Sequence, residues 1–298
     1  MKKKYAMNLP LHIMLIPALI FSIMFAYVPM TGIVIAFQKF IPNRGFFNSK
    51  WVGWDNFTFM LHMPDFYQVI YNTVFIAVMK IVAGIVVPVV VALLLNEVRS
   101  KYFARSIQTM IYLPHFLSWV ILGGILIDIL SVEGGVVNRI IQGLGLEPVF
   151  FLGNNDWFPF TLVLSDVWKE FGFATIVYLA ALTSIDPTLY EAAYIDGANR
   201  WKQTLHVTIP GMVPIIVLLS VLSLSNVLNA GFEQVFILYS PSVYQSGDII
   251  DTLLYRVGFV EAQYGVSTAV SLFKSFIGMI LIATSYGLAY RYANYRIF

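Results

Sequence analysis

Long apolar segments alternate with short polar ones along this chain. Six apolar segments are long enough to cross the hydrocarbon core of a bilayer, which is roughly 30 Å thick. They lie near residues 11–37, 68–95, 107–130, 158–182, 211–230 and 267–290. The pattern therefore predicts an all-α membrane protein with six transmembrane helices, which we interpret as a single domain over residues 1–298.

The first apolar segment follows a basic start, as in a secretory signal peptide. It is too long for the apolar region of a signal peptide, and polar residues follow it instead of a small-residue cleavage site. We therefore expect it to be retained as the first span. Pro10, Pro17 and Pro29 predict kinks in this span, because each proline removes a helical hydrogen bond.

A polar island of about 25 residues, 186–210, separates the fourth and fifth apolar segments. Asp186 before Pro187 is typical of a helix start, since the aspartate can accept a free backbone N–H and proline has none to leave unpaired. Gly197 is then predicted to end this helix, because glycine readily adopts the left-handed backbone conformation found after a helix C-terminus. A second short helix is predicted from about Ala198 to Val207, with Pro210 ending it.

The composition agrees with a membrane protein. The 298 residues are 59% hydrophobic and 11% charged, whereas soluble domains are about 45–50% apolar and about 25% charged. The net charge of +2 gives no reason to expect a nucleic-acid partner. There is no cysteine, which excludes disulfides and thiolate chemistry and leaves the redox compartment undecided. The four histidines show no metal-ligand spacing.

Lysine and arginine are distributed unequally between the two sides predicted by six spans. One side carries Lys2, Lys3, Lys4, Arg99, Lys101, Arg105, Arg200, Lys202, Arg291 and Arg296. The other carries Lys39, Arg44, Lys50, Arg139 and Arg256. Basic residues favour the cytoplasmic side. The polar island and both termini are therefore predicted to be cytoplasmic, in a multi-pass protein of the cell membrane surrounded by lipid.

The polar island also carries a family resemblance. Glu191-Ala192-Ala193, followed by Gly197 and then by Val207-Thr208-Ile209-Pro210, resembles the EAA signature of ABC-importer permease subunits. Val207 and Ile209 stand where the usual pattern has Ile and Leu. The resemblance implies a type I ABC importer permease, in which this loop is the coupling helix that docks into a cleft of the ATPase subunit. It assigns the coupling surface to Glu191, Ala192, Ala193, Asp196, Gly197 and Arg200.

Further runs are similar to the maltose-type, carbohydrate-uptake permeases, in the branch tied to complex or plant-derived saccharides. They are Tyr27-Val28-Pro29-Met30, Trp51-Val52-Gly53-Trp54 with Asn56-Phe57, Leu93-Leu94-Leu95-Asn96-Glu97, Trp168-Lys169-Glu170 and Asn229-Ala230-Gly231-Phe232-Glu233-Gln234. This resemblance implies a saccharide substrate, a second permease subunit in a heterodimer, two ATPase subunits and an extracytoplasmic solute-binding protein. ATP and Mg would be bound by the ATPase subunits, with no cofactor in this chain.

No catalytic constellation is visible in the sequence. There is no Gly-rich phosphate loop ending in Lys and Ser or Thr, no Gly-x-Ser-x-Gly and no His-Glu-x-x-His. We therefore do not expect an enzyme. Two alternatives remain open: an ABC permease for a non-sugar solute, and a secondary transporter, although the internal repeat expected of the latter is not evident.

The fifth apolar segment contains a stripe of small polar residues, formed by Ser220, Ser223, Asn226 and Asn229. Phe232, Glu233 and Gln234 follow it. Sugars require planar hydrogen-bond partners and an aromatic face, so Ser223, Asn226, Asn229, Phe232 and Glu233 are candidates for lining a substrate path. The alternative is hydrogen bonding between helices, a common use of Ser and Asn in membranes. The aromatic residues Trp51, Trp54 and Trp157 similarly suit either a membrane interface or sugar stacking.

Charged residues within the predicted spans include Lys80, Asp166, Lys169, Glu170 and Lys274. Each charge at a helix centre costs about 2.5–3.5 kcal/mol on insertion scales. Such residues face the bundle interior or water and are generally paired. Counting from the outer ends of their spans, Lys80 reaches a depth similar to that of Glu170. We expect Lys80 to pair with Glu170 or Asp166, with snorkelling of Lys80 along the protein surface as the alternative.

Overall fold

The computed structural model describes the backbone of residues 2–293 and the side chains of residues 12–288. The described chain is mostly helical, with one antiparallel pair of short strands. The α-helices are α1 Lys2–Ser22, α2 Val28–Met30, α3 Gly45–Asn48, α4 Asp55–Leu61, α5 Phe66–Asn96, α6 Lys101–Tyr112, α7 Trp119–Leu130, α8 Val136–Gly143, α9 Phe158–Thr183, α10 Pro187–Ile195, α11 Arg200–Gln203, α12 Ile209–Leu224, α13 Phe232–Leu238, α14 Tyr244–Gly247, α15 Ile250–Tyr255 and α16 Tyr264–Ala293. The strands are β1 Gln38–Lys39 and β2 Lys50–Trp51.

Six stretches of helix match the six predicted spans. Four are individually long and apolar enough to cross a membrane: His12–Phe37, Phe66–Asn96, Arg200–Leu224 and Tyr264–Leu288. Two more are bent pairs of helices: Lys101–Phe116 with Trp119–Leu130, and Phe158–Thr183 with Pro187–Ile195. The predicted all-α membrane fold is therefore confirmed, with four to six spans according to whether each bent pair crosses the bilayer once.

The third predicted span, 107–130, corresponds to two helices with a bend between them. The chain bends by 103° between α6, with its 3-10 extension to Phe116, and α7. Leu117 is extended, and the hydroxyl of Ser118 then accepts a hydrogen bond from the backbone N–H of Ile121 at 3.4 Å. Ser118 therefore caps a new helix and ends the old one. Hydropathy alone could not locate this break, because apolar residues flank it on both sides, at 111–113 and at 119–122.

The fifth predicted span, 211–230, is displaced toward the N-terminus. A π-helical segment, Thr204–Thr208, joins α11 to α12, so that helix runs from Arg200 to Leu224. The prediction that Pro210 ends the preceding helix is wrong. Pro210 lies in the first turn of α12, where its missing N–H is not required, and the π-helical turn before it absorbs the change in hydrogen bonding.

The first predicted span is helical throughout, but its hydrogen-bonding pattern changes along its length. Helix α1 runs through Pro10 and Pro17, and a π-helical segment, Ile23–Tyr27, precedes Pro29. A change of hydrogen bonding therefore precedes Pro29, and the kinks expected at the three prolines stay a prediction. The basic residues at the two chain ends, Lys2, Lys3, Lys4, Arg291 and Arg296, lie outside the described side chains.

The described chain divides into two compact units. One comprises residues 2–64 and 254–273, and the other comprises residues 65–253 together with the chain from 274 onward. The assignment of the whole chain to one permease domain stays a prediction.

The larger unit is built on α5, α9 and α12. Their common core contains Ala92 of α5, Tyr178 and Leu182 of α9, and Met212 of α12. Helix α9 also approaches α6 closely at Gly172, where an added Cβ would lie 1.9 Å from the carbonyl oxygen of Ile111. A glycine is needed at that position because the two backbones touch.

The smaller unit contains β1, β2, α4 and the start of α16. Gln38 pairs with Trp51 and Lys39 with Lys50 across the two strands. The ring of Phe37 stacks on Trp51 at 5.7 Å and meets Trp54 edge-on at 5.4 Å. Trp51 and Trp54 therefore belong to one aromatic cluster, while each keeps more than half of its surface exposed.

Candidate functional site

Lys80 of α5 and Asp166 of α9 form an ion pair inside the larger unit. The lysine Nζ lies 3.2 Å from Asp166 Oδ1, and the lysine side chain is only 9% exposed. The same ammonium group donates to the carbonyl oxygen of Ala230 at 2.7 Å and to Gln234 Oε1. All three ammonium protons thus have acceptors. The predicted pairing of Lys80 with Asp166 is confirmed, and the alternatives of Glu170 as partner and of snorkelling are wrong.

Gln234 extends this network into α9. Its side chain is fully buried, and its Nε2 donates to the carbonyl oxygen of Leu162 and to Ser165 Oγ, each at 2.8 Å. Gly231 lies in the left-handed region at φ +93, and a Cβ there would lie 2.9 Å from Lys80 Nζ. The turn between α12 and α13 therefore packs closely against the lysine. We call the contacts of Lys80 with Asp166, Ala230 and Gln234 the Lys80 network.

A cavity of about 400 Å³ opens beside the Lys80 network. Of the predicted path candidates, Ser223, Asn226 and Asn229 line it, together with Tyr178 and Asp166. Helix α12 ends at Leu224, so the two asparagines lie in the following turns and not on a continued helix. Asn229 Nδ2 contacts Asn226 Oδ1 at 3.4 Å. Three of the four residues of the polar stripe therefore share one cavity wall, and Ser220 does not line it.

Phe232 and Glu233, the other two path candidates, do not line this cavity. They begin α13, where the ring of Phe232 stacks on Phe236 at 5.2 Å and the side chain of Glu233 is exposed. Their role in a substrate path stays a prediction.

Lys169 and Glu170 meet the break between α6 and α7. Glu170 accepts from Lys169 Nζ at 2.8 Å and contacts His115 Nδ1 at 2.7 Å. Lys169 Nζ also donates to the backbone oxygen of His115 at 3.0 Å. The His115 ring stacks on Phe173 at 4.1 Å. These two charges thus fasten α9 to the bent segment.

Lys274 of α16 is paired with Asp251 of α15, at 2.5 Å between Nζ and Oδ1. Lys80, Asp166, Lys169, Glu170 and Lys274 therefore each have a partner of opposite charge, as their insertion cost requires. The contacts with His115 and Asp251 had not been anticipated, because each residue lies on a different segment from the charge that it contacts.

The polar island folds largely as predicted. Asp186 caps α10, with Oδ1 accepting from the backbone N–H of Thr188 at 2.9 Å, and this hydrogen bond lowers the pKa of the Asp186 carboxyl. At the other end, Gly197 has φ +77. Its N–H donates to Tyr194 O at 3.0 Å, while that of Ala198 donates to Ala193 O at 2.9 Å. This pair of hydrogen bonds is the Schellman motif, which requires a left-handed residue.

The assigned coupling residues form an exposed surface at α10. Glu191, Ala192, Asp196 and Gly197 are exposed, and Ala193 is half-buried. Arg200 forms an ion pair with Glu97 at the end of α5, 2.8 Å between Nη1 and Oε2. This contact joins the island to the sequence run Leu93–Glu97.

Two large apolar side chains on this surface were missed by the sequence reasoning. Tyr194 is 76% exposed and Ile195 is 83% exposed, although both are apolar enough to be buried. They lie within the EAA run, between Ala193 and Asp196, and this position is the signal that could have indicated them. We call the exposed set Glu191, Ala192, Tyr194, Ile195 and Asp196 the α10 surface.

Residues 84–297 match the family described as the inner membrane component of binding-protein-dependent transport systems. The chain belongs to this family. The match covers most of the chain and includes the polar island, α12 and the cavity wall after it. The protein is therefore a membrane permease, and its family is one of transporters and not of enzymes.

Curated relatives and solved structures resemble the permease over nearly its whole length. It is 40% identical over 97% of its length to the polygalacturonan/rhamnogalacturonan transport system permease protein YteP of Bacillus subtilis, covering 90% of that protein. It is 42% identical over 91% of its length to protein LplB of the same organism, covering 86% of that protein.

A crystal structure of a bacterial ABC transporter that imports the acidic polysaccharide alginate superimposes with a TM-score of 0.89, at 37% identity over 97% of this chain and 98% of that one. A second, of the alginate transporter in complex with a periplasmic protein that holds an alginate pentasaccharide, gives a TM-score of 0.90 at 36% identity, over 99% of each chain.

Proposed function

We propose that this permease forms part of the pathway of an ATP-driven ABC importer for a sugar or oligosaccharide. The observation that carries the proposal is the cavity beside the Lys80 network, where Ser223, Asn226 and Asn229 offer hydroxyl and amide groups next to the ring of Tyr178. Relatives that transport polygalacturonan, rhamnogalacturonan and alginate support a saccharide substrate.

The importer would be completed by other subunits. A second, different permease subunit would close the pathway, and an extracytoplasmic solute-binding protein would deliver the saccharide. The alginate transporter in complex with its periplasmic protein supports this delivery. Two ATPase subunits would bind ATP and Mg, and this chain would bind neither.

The α10 surface would dock onto an ATPase subunit. Helix α10 is held at both ends, by the Asp186 cap and the Schellman motif. It is also tied to the start of α12, because Tyr190 Oη and Thr208 Oγ1 lie 3.0 Å apart. A displacement of the α10 surface would therefore be transmitted directly to α12. The cavity residues Asn226 and Asn229 follow the C-terminal end of α12. The excess of basic residues near this end supports a cytoplasmic position for the α10 surface.

The proposal is tested by transport in proteoliposomes that contain the complete importer. The panel should include oligogalacturonates, alginate oligosaccharides, arabino-oligosaccharides, maltose, an amino acid and a dipeptide. We expect a saccharide to stimulate uptake and ATP hydrolysis. Uptake of an amino acid or peptide with no response to any saccharide would contradict the proposal.

A variant of the cavity wall sharpens the test. Asn229→Ala removes one hydrogen-bonding group, so we expect KM for the saccharide to rise about threefold to tenfold. Asn43→Ala is the matched control, because Asn43 is exposed and lies outside the cavity. Equal KM values for the two variants would show that Asn229 does not contact the substrate.

A further inference from the structure

The smaller unit contains a second pocket, which shares no residue with the cavity beside the Lys80 network. It lies between β1, α4 and the start of α16, and its volume is about 660 Å³. That volume is typical of small-ligand sites, which range over roughly 300–1,000 Å³. We call it the Gln38 pocket. The distribution of basic residues predicts that the loops around residues 38–59 and 262–266, which form this pocket, face outside the cell.

The back wall of the Gln38 pocket is held in place by hydrogen bonds. Asn56 Nδ2 donates to the carbonyl oxygens of Ala36 at 2.8 Å and of Gln38 at 3.0 Å. Gly265 packs against the same groups, since an added Cβ would lie 2.6 Å from both Asn56 Nδ2 and Gln38 O. The wall is therefore formed before any ligand arrives, which reduces the entropy lost on binding.

The wall combines polar groups with aromatic rings. Asp55, Gln263 and Tyr264 contribute carboxylate, amide and phenol groups, and Asn56 keeps its carbonyl oxygen as an acceptor after both N–H groups are donated. Phe59, 51% exposed, supplies an apolar ring at the same pocket. Hydrogen-bond acceptors thus stand beside an open aromatic face.

Two features distinguish the pocket from an ordinary packed surface. The side chain of Gln38 is only 7% exposed, and among the described residues its Oε1 is buried without a hydrogen-bond partner. Ala262, at the pocket rim, has φ +55, a conformation that is unfavourable for a residue with a side chain. Unsatisfied acceptors and backbone strain are retained where function requires them.

We propose that the Gln38 pocket is an additional saccharide subsite that binds sugar units of the transported oligosaccharide on the outer side, an inference that rests on the proposed function. Sugar hydroxyls donate and accept hydrogen bonds, so they can match the acceptors that Asp55, Asn56 and Gln263 provide in the wall. The C–H face of a sugar ring can lie on Phe59. Lys39 and Asp55 contribute opposite charges, so the pocket suits neutral and acidic sugars alike.

The test uses the complete importer in nanodiscs without its solute-binding protein. Binding of an oligogalacturonate and of a neutral arabino-oligosaccharide is measured by calorimetry. We expect binding by the unmodified importer, and a dissociation constant raised about threefold to tenfold by Gln263→Ala, which removes one hydrogen-bonding group. Phe59→Ala should weaken binding in the same direction, and Phe59→Tyr should restore it. Phe47→Ala is the matched control, because Phe47 is fully exposed and lies outside the pocket.

Three results would overturn the subsite. One is the absence of saccharide binding by the unmodified importer, and another is equal binding by the pocket variants and the Phe47 control. The third is a loss of affinity for the solute-binding protein with saccharide binding unchanged, which would make this pocket a protein-docking surface. Uptake of the same saccharides by proteoliposomes with the binding protein is measured in parallel. Saccharide uptake without an effect of the pocket variants rejects the subsite alone, whereas no saccharide uptake rejects the proposed function.

Discussion

Lys80 Nζ lies 3.2 Å from Asp166 Oδ1, and this ion pair joins α5 to α9 at the wall of the proposed substrate cavity. The lysine also holds the turn after α12 through Ala230 and Gln234. One side chain therefore connects three parts of the chain. Removing either charge leaves the other, partly or fully desolvated, without its partner, which is more harmful than removing both.

The first prediction concerns this ion pair. Lys80→Met should destabilise the permease by about 1–3 kcal/mol, because Asp166, Ala230 O and Gln234 Oε1 all lose the ammonium group that they contact. The double variant Lys80→Met, Asp166→Leu should recover part of that loss. Thermal unfolding of the purified complex measures both. Lys50→Met is the control, since Lys50 is exposed on β2. Additive effects of the two single changes would contradict a direct interaction.

The second prediction concerns the turn at Gly197. Valine at φ +77 is strained by about 1–3 kcal/mol, whereas asparagine tolerates the left-handed region. Space is not the limitation, because a Cβ at Gly197 meets nothing within 4 Å. Gly197→Val should therefore uncouple ATP hydrolysis from uptake or release the ATPase, while membrane insertion persists. Gly197→Asn should transport nearly normally. Normal uptake by the valine variant would show that this turn is not needed for coupling.

The third prediction concerns the cap of α10. Asp186→Ala should loosen the first turn of α10, and Asp186→Asn should preserve it, because asparagine keeps the accepting oxygen. Hydrogen exchange over residues 186–197 compares the variants. The folded-state pKa of Asp186 is lowered, so its contribution is fully present above the ordinary aspartate pKa of about 3.9 and is lost only as pH falls through the lower, folded value. Protection of this segment should consequently not vary between neutral pH and pH ~5; a variation there would contradict the cap.

The fourth prediction concerns orientation in the membrane. The chain has no cysteine, so single cysteines are specific labels. Lys202→Cys should react only from the cytoplasm and Gln245→Cys only from outside, and both positions are exposed. Gln203 is a poorer site than Lys202, because it is half-buried and its Nε2 donates to Ala198 O at 3.0 Å. Labelling of both cysteines from one side would reject the predicted topology.

Local sequence was sufficient for features that depend on a few neighbouring residues. The lengths of the apolar segments predicted the approximate positions of the spans. A transmembrane helix satisfies its own backbone hydrogen bonds and needs apolar side chains across the whole hydrocarbon core. The Asp186 cap and the left-handed Gly197 were predictable for the same reason, since each satisfies groups only a few residues away. The EAA run indicated the family through order and spacing alone.

Tertiary packing decided the features that depend on distant residues. The choice of Asp166 over Glu170 for Lys80, and the seating of Ala230 and Gln234 on the same lysine, depend on contacts between segments far apart in sequence. Depth along a span could not choose between two carboxylates one turn apart on the same helix, because the choice also depends on which face of α9 meets α5. The Gln38 pocket likewise combines residues near 38, 56 and 264. Hydropathy describes one segment of sequence at a time. A site depends on contacts between side chains of several segments, and those contacts form only when the chain folds.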